Sequence, residues 1–152
     1  MSQEKITPEL KKLAKERLGA SDEQIEKLTD TQWRVLKSRP HRRQYRLVAE
    51  VMEVTDCCSA GHKKGDKYVY TASGFLLPEE STVARLCLWA MGPMLPFIYI
   101  SFDRTVEGLD PTPKGWDRVH CPDVGMNCGG LGRVVFRIYS EKAPQSYMGE
   151  PG

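Results

Sequence analysis

Apolar residues along this chain change their spacing twice, from helical to alternating and back, and the changes separate an amino-terminal helical stretch from a mixed remainder. Thr7-Pro8-Glu9 supplies a cap, a proline for the first turn and an early acid. Leu10, Leu13, Ala14 and Leu18 then recur at helical spacing until Gly19. Ser21 and Gln24 have the spacing of a capping box ahead of Ile25 and Leu28, which predicts a second, brief helix. Thr29 or Asp30 caps a third, carrying Trp33, Val35 and Leu36, and Ser38-Arg39-Pro40 ends it because a residue before proline disfavours helical angles. Helices this short are not stable alone, so they are expected to dock on the remainder or on another chain.

From Tyr45 the period drops to two: Tyr45, Leu47, Ala49 and Val51 predict a strand over 45–54. A polar connection, Ser59 to Asp66, leads to a returning strand at 67–71, and Ser73-Gly74 turns the chain again, which makes a hairpin. Pro78-Glu79-Glu80 opens a helix predicted over 79–91 on the spacing of Val83, Leu86, Cys87, Ala90 and Met91, with Gly92-Pro93 as its stop. Phe97 to Phe102 fits either a buried strand or more helix. After a loop holding Gly108, Pro111, Pro113 and Gly115, a last strand is expected over 133–139. The expected fold is α+β, a small, mostly antiparallel sheet with one core helix and an N-terminal helical unit. Residues 1–43 form the helical unit and basic linker, 44–142 the cysteine-containing domain and 143–152 a tail.

Composition narrows the classes. At 152 residues, 40% hydrophobic, the chain has room for one domain with a core and an appendage. A formal charge of +2 gives no global field favouring nucleic acid or membrane. The polar start MSQEKITPELKK lacks a secretory signal pattern, so a cytoplasmic location is expected. The apolar run Val83–Phe102 approaches spanning length, but Arg85, Gly92-Pro93 and Pro96 interrupt it, and it is read as core. Five cysteines, an odd number without a secretion signal, argue against a disulfide framework and leave thiols as ligands, nucleophiles or packing.

Two glycine-punctuated loops concentrate the chemistry, Asp56 to Asp66 and His120 to Gly130. If the first and last strands pair, the loops meet at one sheet end, and Cys57, Cys58, His62, Cys121 and Cys128 become a ligand set for zinc or an iron–sulfur centre. Their spacing is not a repeated Cys-x-x-Cys pair. A nucleophilic alternative has one of these four thiols activated by His62 or His120, with Asp66 or Asp123 orienting the imidazole. A third alternative is plain packing, which suffices for Cys87 on its apolar helix face. Separately, the basic run from Arg34 to Arg46 offers Arg39, Arg42 and Arg43 to a phosphate. Because no recognised nucleic-acid motif surrounds the run, nucleic acid is not the favoured partner.

Cys58-x-Ala-Gly-His-Lys-x-Gly-Asp66, Leu86-Cys87, Cys121-Pro-Asp and Gly132-Arg-Val-Val-Phe136 together resemble a group of small, uncharacterised cysteine-containing proteins of anaerobic microbes, over roughly residues 45–140. The resemblance implies that both loops belong to one module and that oxygen-sensitive thiolate or iron–sulfur chemistry fits its setting. It carries no activity. Cys57 beside Cys58 departs from the pattern and leaves open which of the two is the ligand. The leading expectation is an accessory or binding subunit that holds a metal or a partner enzyme through these loops. The alternatives are a Cys/His-dependent enzyme acting on a small molecule and a phosphate-binding protein. Trp33, Trp89 and Trp116 also raise homo-oligomerisation through an aromatic interface.

Overall fold

The computed structural model describes residues 6–144, so the tail expected after 142 lies, from 145 on, outside the described residues. The chain divides into two compact units, residues 1–40 and 41–152. In the first, α1 (Pro8–Leu18), α2 (Asp22–Glu26) and α3 (Asp30–Lys37) begin where their caps dictate. Thr7 Oγ1 accepts the Leu10 N–H, and Ser21/Gln24 and Thr29/Gln32 both form reciprocal capping boxes. Gly19, at φ 61°, closes α1 in the left-handed conformation. Ala14, Ile25 and Trp33 form the buried centre of this unit, with Leu10, Ala20, Leu28 and Leu36 around it. A short turn of helix, α4 (Arg39–Arg42), carries the chain onward.

The second unit is a four-stranded antiparallel sheet with one long helix, which makes the protein α+β. The strands β1 (Tyr45–Asp56), β2 (Lys67–Thr71), β3 (Arg118–His120) and β4 (Gly132–Lys142) lie in the order β2-β1-β4-β3. The first and last long strands are therefore neighbours. Their register sets Ala49 opposite Ile138 and Val51 opposite Phe136, slips by one residue between Val51 and Glu53, and ends with Asp56 opposite Gly132. Leu47, Ala49 and Val51 of β1, Tyr68 and Tyr70 of β2, and Phe136 and Ile138 of β4 are all buried together, covered by Ala90 and Met94 of the helix.

That helix, α5, runs Leu88–Val106 and not 79–91. The segment before it is captured by the outer edge of β2: Leu77 and Thr82 N–H groups donate to the Val69 and Lys67 carbonyls, and the Ser81 and Thr82 hydroxyls accept the Val69 and Lys67 N–H groups. Satisfying an edge strand's backbone outweighs the helical spacing of a few apolar side chains. Glu80 lies in this segment and chelates the guanidinium of Arg46, which is only 1% exposed; Nε to Oε2 is 2.8 Å and Nη2 to Oε1 2.9 Å. Gly92-Pro93 does not stop α5, and Pro96 lies inside it as well. Each proline removes an i→i−4 donor, and the carbonyls concerned, on Trp89 and Gly92, belong to exposed residues that water can reach. Phe97 to Phe102 is helix, and among the described residues no helix is long and apolar enough to cross a membrane.

Candidate thiol site

At the end of the β1–β4 pair the two glycine-punctuated loops meet. Asp56, the last residue of β1, takes a left-handed φ of 62°, and its Oδ2 accepts the Met126 N–H at 3.0 Å. The next peptide lies flat on Gly132: a Cβ there would overlap the Cys57 carbonyl, and the Cys57 N–H donates to the Leu131 carbonyl at 3.2 Å. Across the second loop, Asp123 Oδ1 accepts the Gly125 and Leu131 N–H groups, each at 3.0 Å, and an added Cβ at Gly130 would collide with the same carboxylate. Those hydrogen bonds, the Gly125 one foremost, hold the half-buried Asp123 carboxyl below the usual range, so it is ionised at neutral pH.

Between the loops and the start of α5 lies a cavity of about 480 Å³, within the range of small-molecule sites. Cys57, Cys58, His62, Cys87 and Cys121 all border it. Cys128 does not; it is exposed on a single turn of 3-10 helix, Met126–Cys128. Cys121 is buried and its Sγ accepts the Val134 N–H at 3.2 Å. Cys58 Sγ stands 3.3 Å from Nδ1 of His62, a contact made possible by the turn in which the Gly61 N–H donates to the Cys58 carbonyl. Among the described residues, no three His, Cys, Asp or Glu side chains stand close enough together to hold a metal ion.

A tyrosine bears on the protonation of this pair. Tyr68 is wholly buried, and burial pushes its hydroxyl up to about 12, so it keeps its proton at neutral pH. One proton and two lone pairs meet three partners: the Arg85 carbonyl at 3.2 Å, the Cys87 N–H at 3.2 Å and His62 Nε2 at 2.6 Å. The carbonyl only accepts and the amide only donates, while His62 Nε2 either donates to the hydroxyl or accepts its proton, according to the tautomer of the ring. With the hydroxyl proton on the Arg85 carbonyl, Nε2 carries the hydrogen and Nδ1 presents a lone pair to Cys58. Burial lowers the basicity of His62 despite the opposing charge of Asp66, so the ring is neutral at pH 7.

The other sequence candidates are placed elsewhere. His120 Nδ1 meets the carbonyl of Cys121 at 2.6 Å, so this ring bonds to backbone at β3. Asp66 Oδ2 accepts the Lys63 N–H at 2.8 Å, and the residue that orients His62 is Tyr68. Arg42 is buried, its Nε donating to Ser73 Oγ at 3.3 Å and its guanidinium lying over the Phe102 ring; Arg43 is half-buried, and Arg39 belongs to the amino-terminal unit. Of the three tryptophans, Trp33 is core, while Trp89 and Trp116 are 75% and 86% exposed, and Trp89 borders the cavity. Tyr68 and Cys87 were not legible as site residues, because one sits in a strand's apolar run and the other reads as helix packing. Comparison with known protein families, with curated proteins and with solved structures finds no match to this chain.

Proposed function

We propose that this protein is a thiol-dependent enzyme acting on a small molecule, with Cys58 as nucleophile, His62 as general base and Tyr68 as the residue that positions the base. The observation that carries this reading is the contact of Cys58 Sγ with His62 Nδ1 at 3.3 Å, with the Tyr68 hydroxyl 2.6 Å from Nε2; the reading takes the tautomer in which Nε2 holds the hydrogen and the lone pair faces the thiol. The Cys58 thiol gives its proton to Nδ1, and the sulfur's electron pair forms a bond to the carbonyl carbon of an acyl substrate. When the tetrahedral adduct collapses, the leaving group departs with its bonding pair and takes the proton from Nδ1, which leaves a thioester. Water then attacks the thioester carbon, giving its proton to Nδ1, and Cys58 leaves as the thiol with that proton while the acid is released.

The test is the rate at which iodoacetamide alkylates Cys58, followed by peptide mass mapping in the Cys57→Ser protein. His62→Gln is expected to lower that rate by about 100-fold at neutral pH, in line with the usual worth of a positioned base. A rate equal to that of the parent would sink the assignment of His62.

A soft metal ion is the second reading, supported by the gathering of Cys57, Cys58, Cys121 and His62 around one cavity. Zinc or an iron–sulfur centre would require these side chains to converge on binding, and Cys128 would lie outside the set. Stoichiometric zinc that shields Cys58 from alkylation favours it; zinc that leaves the alkylation rate unchanged disfavours it.

A further inference from the structure

The cavity's walls also bear on what enters it. Ala60, Ala90, Pro122 and Val134 give it an apolar lining, and at its border Trp89, Leu131 and Val124 are 75%, 64% and 50% exposed. Large apolar side chains left this open beside a concave site gain when a ligand's apolar surface covers them. The one charged side chain among the bordering residues is Asp123, a carboxylate fixed in place by the Gly125 and Leu131 N–H groups. Its negative charge, though shared with those N–H groups, disfavours an anion at the cavity relative to a neutral ligand.

Resting on the thiol-enzyme reading, we infer that the substrate of Cys58 is an electrically neutral molecule whose apolar, aryl-sized or short alkyl portion lies against Trp89 and Leu131. A carboxylate- or phosphate-bearing substrate is disfavoured by Asp123.

Paired maleimides test this. Cys58 adds to the ring's carbon–carbon double bond: the sulfur–carbon bond forms, the π bond breaks, and the proton accepted by His62 ends on the neighbouring carbon. Labelling of Cys58 in the Cys57→Ser, Cys128→Ser protein is followed by peptide mass mapping with N-benzylmaleimide and with N-(4-carboxyphenyl)maleimide. Each rate is divided by that of the same reagent with glutathione. The neutral reagent is expected to be favoured by about ten-fold or more, with Trp89→Ala and Asp123→Asn each narrowing the ratio by several-fold. Trp89 is exposed, so its replacement leaves the fold intact. Corrected rates that are fast but equal for the two reagents overturn the neutral-substrate inference and leave the Cys58–His62 pair standing. Corrected rates no faster than glutathione with either reagent, and unaffected by His62→Gln, overturn the pair itself and the inference with it.

Discussion

Tyr68 joins three groups at the site through one hydroxyl: the Arg85 carbonyl, the Cys87 N–H and His62 Nε2. Tyr68→Phe keeps the ring that packs near Phe136 but leaves the Cys87 N–H, the Arg85 carbonyl and His62 Nε2 without the hydroxyl. The expected cost is about 1–3 kcal/mol in urea unfolding, the usual penalty for stranded buried polar groups. Cys58 alkylation is expected to slow in the same variant, because the imidazole is then free to carry its hydrogen on Nδ1, where it no longer accepts from the thiol. An alkylation rate equal to that of the parent would mean that Tyr68 serves packing alone. Although the sequence left Cys57 or Cys58, and His62 or His120, open as partners, Cys58 and His62 were among its candidates. Their partner was not, since a tyrosine in Lys67-Tyr68-Val69-Tyr70 has the pattern of any buried strand residue, and only the fold reveals that its hydroxyl ends beside an imidazole.

Among the elements, the junction of β1 with β4 holds the site in register, and Gly132 is its tightest point. Gly132→Ala would drive a methyl group into the Cys57 peptide, which is backbone and has no side-chain freedom with which to yield. A destabilisation of about 1–3 kcal/mol or more is expected, with Cys58 labelling slowed because the adjacent peptide must move. Gly115→Ala, where an added Cβ meets nothing within 4 Å, is the matched control and is expected to change stability by no more than about 0.5 kcal/mol. Equal unfolding midpoints for the two variants would remove Gly132 from the account. The strands were readable because alternation is set by one buried face, and the amino-terminal helices because their caps are local. The helix expected over 79–91 was misplaced for a non-local reason: Leu77, Ser81 and Thr82 are claimed by the edge of β2, a demand that no window of sequence around them expresses. β3, with three residues, is too short for its pattern to stand out.

At the scale of the whole molecule, the buried imidazole couples folding to pH. In the unfolded chain His62 titrates near its ordinary value of 6.5, whereas in the folded protein burial lowers it. The unfolded state therefore binds the proton more readily, so the contribution of His62 to stability is full above about pH 6.5 and is lost as pH falls towards the folded value. Asp110 and Asp123, also held below their ordinary value of 3.8 by hydrogen bonds, lose their contributions only at more acid pH. The interval from pH 7 to pH 5 thus reports mainly on His62 among the groups with resolved shifts. Urea midpoints measured across it should fall in the parent protein and stay nearly level in His62→Gln, whatever that variant's absolute stability, because only the slope counts protons. The same protonation fills the Nδ1 lone pair and removes the base from Cys58, so the alkylation rate of the parent should decline over the same interval as its midpoint. If the midpoints of parent and variant fall in parallel, some other group carries the linkage. If stability falls while alkylation does not, His62 is a buried histidine of the core and the thiol acts without it.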